Sequence, residues 1–158
     1  MKLKSFLKLV AFIGVCELAG AVGSVFTSSS IKTWYVGLVK PALNPPNWIF
    51  APVWIILFAL MGVAAFIIFE KGADKKEVKE GLGIFAVQLS LNILWSYLFF
   101  GLQSPVTAFI EIIFLWIAIA TTIISFSKIS KPAAWLMLPY ILWVSFAGYL
   151  NLVIWLIN

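Results

Sequence analysis

The sequence contains neither histidine nor arginine, it has a single cysteine, and only 11% of its 158 residues are charged. Histidine is the commonest metal ligand and the usual general base near neutral pH, and it holds the haem iron in many proteins. Its absence therefore argues against a metal site and against ordinary acid–base catalysis. Cys16 has no second cysteine with which to form an internal disulfide bond. We predict no bound metal and no required cofactor.

Apolar residues make up 63% of the chain, and the mean hydropathy is +1.09. Soluble domains carry about 25% charged residues, so the composition argues against a water-soluble fold. Five apolar stretches are each long enough to cross a hydrocarbon core of about 30 Å as an α-helix; they occupy residues 9–26, 48–69, 82–102, 106–126 and 133–157. Because backbone amides in lipid must bond within their own segment, we predict an all-α integral membrane protein. Residues 1–158 form a single domain in this prediction, a five-transmembrane-helix bundle.

All eleven basic residues are lysines, and they are unevenly divided between the two sides of the predicted bundle. Lys32 and Lys40 lie on one side, and the other nine lie on the opposite side: Lys2, Lys4, Lys8, Lys71, Lys75, Lys76, Lys79, Lys128 and Lys131. Because positively charged loops stay in the cytoplasm, this predicts a cytoplasmic N-terminus and an external C-terminus in a bacterial plasma membrane. Without arginine or a basic–aromatic array, nucleic acid is not an expected partner.

The predicted connection 27–47 is roughly 20 residues long, which is unusual between two helices and typical of functional or disordered loops. It carries Trp34 and Tyr35, rings suited to the membrane interface, and three prolines that restrict the backbone, Pro41, Pro45 and Pro46. One interpretation is an ordered lid over the external mouth of the bundle, with Trp48 at its end. The alternative is an interfacial aromatic belt followed by a proline turn.

Two predicted helices carry polar or aromatic faces. Gln88, Asn92 and Ser96 recur every four residues and so share one face of the third helix. A polar face in lipid must turn inward, either to hydrogen-bond another helix or to contact a ligand. The fifth helix, with a kink expected at Pro139, has a broad face beside Gly148 that predicts either close helix packing or a concave wall; it comprises Tyr140, Trp143, Ala147, Leu150 and Asn151.

Two acidic residues lie within the predicted spans. Glu17 lies near the middle of the first, where a charge facing lipid is costly, so we expect it to face inward, protonated or paired. It is either a proton-linked site or a structural hydrogen-bonding group. Glu111 lies close enough to Pro105 that we expect it to reach the interface, and we assign it no function. Ala19 and Gly23 form a small-residue motif that permits close helix approach within the bundle or across a dimer.

Four segments together resemble the TspO/MBR family, the tryptophan-rich sensory proteins related to the mitochondrial translocator protein, formerly the peripheral benzodiazepine receptor. The longest is WYVGLVKPALNPPNWIFAPVW at 34–54; the others are CELAG at 16–20, QLSLNILWSYLFFG at 88–101 and PYILWVSFAGYLN at 139–151. The resemblance implies a dimeric five-helix bundle with a pocket that opens toward the long first loop. Family members bind porphyrins and isoquinoline-type ligands. By similarity the ligand-binding residues are Tyr35, Trp54, Asn92, Ser96, Trp143 and Ala147.

The resemblance leaves three functions open. The first is a sensory or regulatory membrane protein that binds tetrapyrroles beneath the loop. The second is a light- and oxygen-dependent enzyme that degrades protoporphyrin, in which Trp54 and Trp143 are catalytic. The third is a porphyrin or sterol transporter with Glu17 as a proton-coupled group. Sterol binding is disfavoured because Leu152 and Leu156 stand where animal members have tyrosine and arginine. Separately, Leu43 stands where many relatives have an aromatic residue in the loop, which removes one expected contact of the lid with the pocket.

Overall fold

The computed structural model describes residues 3–158, and every regular element among them is helical. The bounds are α1, Leu3–Ser30; α2, Trp34–Gly37; α3, Asn47–Phe69; α4, Lys76–Ser96; α5, Pro105–Ile129; α6, Lys131–Leu136; and α7, Leu138–Ile157. One π-helical turn, Tyr97–Gly101, continues α4. Five segments are long and apolar enough to span a membrane: α1, α3, α4 with the π-turn, α5, and α6 with α7. The prediction of five membrane helices is confirmed.

The helices extend beyond the apolar stretches used to predict them. α1 continues to Ser30, which shortens the first connection from the predicted 27–47 to residues 31–46. α4 begins at Lys76, within the charged segment KGADKKEVKE, because lysine and glutamate favour helix in water as well. The Lys76–Glu80 ion pair at i, i+4 spans 3.7 Å and supports this first turn. Hydropathy therefore locates the spans but underestimates the lengths of the helices.

Two interruptions shape the membrane segments. The fifth span breaks at Met137, and α7 begins one residue later with Pro139 in its first turn. Proline is tolerated there because the first-turn amides lack intrahelical partners, so the break expected at Pro139 lies two residues earlier. The π-turn was not expected. In it the Leu102 amide donates to the Tyr97 carbonyl oxygen over 2.8 Å, five residues back.

The two ends of the bundle are packed differently, and we name them by their connections. The loop end carries residues 31–46, and the closed end carries the turn between Phe69 and Lys76. At the closed end α1 and α3 touch through Gly62, where an added Cβ would lie 2.5 Å from the Ile13 Cα atom. Small and aliphatic side chains with no exposure fill this end: Met61, Ala64, Ala65, Ile68 and Val78.

The lysine side chains follow the same division. Lys8 on α1 pairs with Glu70 after α3 over 3.1 Å and lies over the Phe69 ring, tying two helices at the closed end. The segment 71–79 carries four more lysines at this end. Lys2 lies outside the described residues. The excess of lysines on which the predicted cytoplasmic N-terminus rests therefore lies at the closed end.

Candidate functional site

The loop-end half of the bundle encloses a cavity of about 450 Å³. Its walls come from α1, α3, α4, the π-turn and α7, with the first connection contributing at the loop end. Five lining residues are exposed, and all of them belong to α1 or α3: Ala21, Ser24, Asn47, Ala51 and Ile55. The cavity therefore opens sideways between α1 and α3 as well as lying beneath the connection.

The residues predicted to bind a ligand come together at this cavity, although they are far apart in the sequence. All six line it: Tyr35, Trp54, Asn92, Ser96, Trp143 and Ala147. Four separate elements supply them, namely the connection, α3, α4 and α7. The shared helix face proposed for Asn92 and Ser96 and the concave face proposed for α7 thus border the same space.

A polar contact joins α4 and α7 behind this wall. The Asn92 side-chain amide donates to the Tyr140 hydroxyl over 2.9 Å, and Tyr140 has no exposed surface. The Trp54 ring packs edge-on against Tyr140 at 6.2 Å and stacks on Phe58 at 5.5 Å. Asn92 therefore satisfies both interpretations of the polar face, since it bonds another helix and lines the cavity. The contacts also fix the orientation of the Trp54 indole.

Trp143 stands on the α7 wall with an unused donor. Its ring packs edge-on against Phe50 of α3 at 6.0 Å. The indole Nε1 is buried and has no hydrogen-bond partner among the described residues. Ala147, one turn further along, also lines the cavity, whereas the adjacent Gly148 faces Ile112 of α5, where an added Cβ would lie at an ordinary contact distance of 3.9 Å. The α7 face is thus a wall of the cavity, and Gly148 does not mark an unusually close helix approach.

Several aromatic residues of the wall were not among the predicted ligand-binding residues: Phe50, Phe58, Trp95, Phe99 and Phe100. Trp95 donates through Nε1 to Asn151 Oδ1 over 3.1 Å and stacks on Phe99 at 5.0 Å. The Asn151 amide in turn donates to the Pro105 carbonyl oxygen over 2.7 Å. The run WSYLFF at 95–100 was the available signal for this aromatic wall. Four of its six residues are aromatic, which distinguishes this end of the third span from the polar face of the same helix.

The π-turn explains how two consecutive aromatic residues, Phe99 and Phe100, both reach the interior. Successive α-helical side chains are separated by about 100°, so both seldom face one cavity. In the wider turn Phe99 and Phe100 are both buried and both line the cavity. The Ser30 hydroxyl, at the end of α1, donates to the Phe100 carbonyl oxygen over 2.6 Å. This bond satisfies a backbone oxygen and joins the turn to α1.

The first connection is ordered against this aromatic layer. Tyr35 is only 4% exposed, packs on Phe99 and Phe100, and donates its hydroxyl proton to Asn44 Oδ1 over 2.9 Å. Burial raises the pKa of Tyr35 above its usual value, and the bond to Asn44 lowers it by less. The backbone of Val39 exchanges two hydrogen bonds with the Asn158 side chain after α7, at 2.9 and 3.0 Å.

The residues predicted to form the lid have different positions. Trp34 packs edge-on against Phe99 at 5.5 Å, Pro41 is buried and Pro45 is partly buried. Pro46 and Trp48 are exposed, Trp48 by 74%. None of these five lines the cavity, which is bordered at this end by Ile31, Tyr35 and Asn47. The prolines shape the connection, and the tyrosine supplies its contact with the cavity.

The remaining predicted polar residues fall into two groups. Glu17 lines the cavity on α1, as expected for an inward-facing residue. The expectation that Glu111 reaches the interface is wrong, because its side chain is only 6% exposed on the inward face of α5. Both of its carboxyl oxygens and Gln88 Oε1 lack hydrogen-bond partners among residues 3–158. Glu111 lies three residues after Ala108, so both side chains are on the buried face of α5 and Glu111 does not extend to the interface.

Ala19 and Gly23 are buried within the bundle, where an added Cβ on Gly23 would lie 3.1 Å from Ser96 Oγ. The close approach at Gly23 is therefore between α1 and α4 of one chain. Across residues 3–158, no cluster of three histidine, cysteine or acidic side chains could hold a metal ion. The arrangement offers stacking surfaces, a few hydrogen-bonding groups and one carboxyl group to an apolar guest.

Five apolar helices and an internal aromatic cavity define an integral membrane protein with a small-molecule-sized site between its spans. The sequence profile of the TspO/MBR family matches residues 12–156. This chain belongs to that family, which agrees with the resemblance of its loop and helix motifs.

Curated relatives match over almost the whole chain. The tryptophan-rich protein TspO of Chlorobaculum tepidum is 47% identical over 155 residues, covering 98% of each chain. The protein of the same name from Archaeoglobus fulgidus is 45% identical over 155 residues, covering 98% of this chain and 99% of its own. Bovine translocator protein is 37% identical over 147 residues, covering 92% of this chain and 87% of its own. The similarity therefore joins bacterial, archaeal and animal proteins.

Proposed function

We propose that this protein is a sensory or regulatory membrane protein that binds tetrapyrroles such as porphyrins in the loop-end cavity. The observation that carries the proposal is the meeting of two indoles, Trp54 of α3 and Trp143 of α7, at one cavity that Asn92 also lines. A cavity of about 450 Å³ lies within the range of about 300–1,000 Å³ typical of ligand sites. Flat aromatic walls with few polar groups suit a planar apolar ring.

The chain's own residues have distinct roles in this proposal. Trp54 is held by Tyr140 and Phe58, so its face is preorganised for stacking. Trp143 Nε1 has no hydrogen-bond partner among residues 3–158, so a polar group of the ligand can accept from it. Tyr35 and its bond to Asn44 keep the connection against the loop end of the cavity. The side opening between α1 and α3 offers an apolar ligand a route from the bilayer.

The test is binding of protoporphyrin IX to the purified protein in darkness, followed by its absorption spectrum. Trp54→Phe and Trp143→Phe are expected to weaken binding by roughly threefold to tenfold each, since phenylalanine offers a smaller ring for stacking and lacks the indole N–H donor. Trp135→Phe is the matched control, because Trp135 is exposed on α6 and does not line the cavity. Equal affinities for all four proteins would contradict the proposal.

Illumination separates binding from chemistry in the same samples. A bound spectrum that survives light supports a sensory role. Loss of the porphyrin absorption with a discrete product that requires Trp54 or Trp143 would instead support the light- and oxygen-dependent enzyme. Uptake of porphyrin into proteoliposomes that depends on Glu17 would support transport. Isoquinoline-type ligands, the second ligand class implied by the resemblance, are expected to compete with porphyrin for the cavity.

We further propose that the closed end faces the cytoplasm of a bacterial plasma membrane and that the protein is a homodimer. The first rests on the lysines concentrated at that end, since positively charged segments are retained in the cytoplasm. The second rests on the family resemblance. Access of an impermeant amine reagent to Lys75 and Lys40 from either side, and the mass of the protein in detergent, test these two points.

A further inference from the structure

The cavity has an electrostatic character that tetrapyrrole binding does not use. Among the described residues that line it, Glu17 is the only acidic one, and none is basic. Neither of the two salt bridges found in residues 3–158 involves Glu17. Lys8, the described lysine nearest to it along α1, is nine residues away, about 13 Å along a helix, and is paired with Glu70. The Glu17 carboxyl group therefore has no basic partner on its own helix.

The aromatic walls add to this negative character. Eight aromatic side chains line the cavity: Tyr35, Phe50, Trp54, Phe58, Trp95, Phe99, Phe100 and Trp143. The face of each ring carries partial negative charge, and indole faces attract cations most strongly. A carboxyl group beside several aromatic faces is a favourable arrangement for an organic cation that has apolar substituents.

Glu17 lies at the inner end of the cavity. The lining residues of α1 run from Glu17 to Thr27 in the direction of the loop end, so Glu17 is the one furthest from the connection. Gly20, one turn later, faces the Phe58 ring so closely that an added Cβ would lie 2.5 Å from it. A ligand that fills the cavity would place one end among these residues, away from the lysines of both ends.

We propose that the cavity binds lipophilic organic cations, with Glu17 as the counter-ion at its inner end. An unpaired carboxylate in a membrane-spanning segment is costly, and a cationic ligand relieves that cost by pairing with it. The ligand's apolar substituents then contact the aromatic walls, as in the recognition of quaternary ammonium groups. This ligand class goes beyond the proposed tetrapyrrole function, in which Glu17 has no role.

Tetraphenylphosphonium and tetraphenylborate provide a direct test, because they have nearly the same shape and opposite charge. Each is titrated into the purified protein in a non-ionic detergent while tryptophan fluorescence is followed. The wild-type protein is expected to bind the phosphonium more tightly. Glu17→Gln is expected to weaken phosphonium binding on the order of tenfold to a hundredfold, as the loss of one partly buried charge partner predicts. Binding of the borate is expected to stay the same or to become tighter.

Glu111→Gln is the matched control, since it removes a second carboxyl group from the spans but Glu111 does not line the cavity. It is expected to keep the wild-type preference for the phosphonium. Retained tetraphenylborate binding shows that Glu17→Gln is folded, and Glu17→Asp, which keeps the charge, is expected to retain the preference. A wild-type protein with no preference, or a preference that survives Glu17→Gln, would overturn the proposal. Neither result bears on protoporphyrin binding, which is measured separately.

Discussion

The closed end and the loop end of the bundle are built from the same helices, yet one is filled and the other encloses a cavity. Along α3 the side chains explain this difference. Gly62 and its alanine neighbours let α1 approach at the closed end. Phe50, Trp54 and Phe58 face the cavity toward the loop end. The comparison teaches that side-chain size along one helix decides where two membrane helices touch and where a guest can enter between them.

The largest effect is expected where α1 and α3 touch. Gly62→Ala places a Cβ atom 2.5 Å from the Ile13 Cα and 2.8 Å from its amide nitrogen, so backbone must move. Overpacking of this kind costs about 1–3 kcal/mol. Thermal unfolding in detergent is expected to show a markedly lower midpoint for this variant.

Gly14→Ala is the control for that change, because Gly14 neighbours Ile13 on α1 and an added Cβ there meets no atom within 4 Å. Its midpoint is expected to equal or slightly exceed that of the wild type, since alanine favours helix. Similar midpoints for Gly62→Ala and Gly14→Ala would mean that the closed end is not tightly packed.

A smaller effect on the unfolding midpoint is expected for changes at Glu111, which lies between the two ends. Its two carboxyl oxygens are buried and lack partners among residues 3–158, and an unsatisfied buried polar group costs about 1–3 kcal/mol. Glu111→Leu removes this cost and is expected to raise the unfolding midpoint. Glu111→Gln keeps a buried polar group of the same size and is expected to give little increase. A lower midpoint for Glu111→Leu would show that Glu111 has a partner in the membrane.

The smallest effect concerns the loop end and depends on pH. Tyr35→Phe removes the hydrogen bond to Asn44, worth about 1 kcal/mol. Burial raises the pKa of Tyr35 in the folded protein, so above the usual tyrosine pKa of about 10 the unfolded chain loses this proton first. The free energy of unfolding therefore falls as the pH rises through that window.

Thermal midpoints between about pH 8 and about pH 11 test this dependence, since the range brackets the ordinary tyrosine pKa. Tyr35→Phe is expected to lose stability less steeply with rising pH than the wild type. Tyr149→Phe, at an exposed tyrosine of α7, serves as the control and is expected to follow the wild-type curve. Parallel curves for all three proteins would mean that Tyr35 is not buried at the loop end.

Hydropathy was sufficient to predict the five spans, because apolar length in lipid has one structural solution. The six ligand-binding residues that the resemblance named all line the cavity, including Asn92 and Trp143, whereas Gln88 of the same polar face does not. Their positions follow from the rule that a polar or amphipathic side chain in a span turns inward, and their contact with a ligand stays a prediction.

Other features depend on three-dimensional contacts that a single sequence does not specify. The π-turn depends on a 2.8 Å backbone bond whose formation no residue type signals. Glu111 was expected at the interface because its distance from Pro105 was counted, whereas its helical phase puts it on the buried face. The lid interpretation rested on the stiffness of Pro41, Pro45 and Pro46, whereas Ile31 and Tyr35 make the contact between the connection and the cavity.

The extra residue of the π-turn has a consequence for how chain length can vary in this protein. Removal of one residue in the middle of α4 would rotate every later side chain of that helix by about 100°. Removal of one residue within Tyr97–Gly101 would instead convert the wide turn into an ordinary helical turn. Such a shortened chain would keep the rest of α4 in its present orientation but remove one aromatic ring from the cavity wall. A change of chain length in this turn can therefore alter the size of the cavity without disturbing the helix before it.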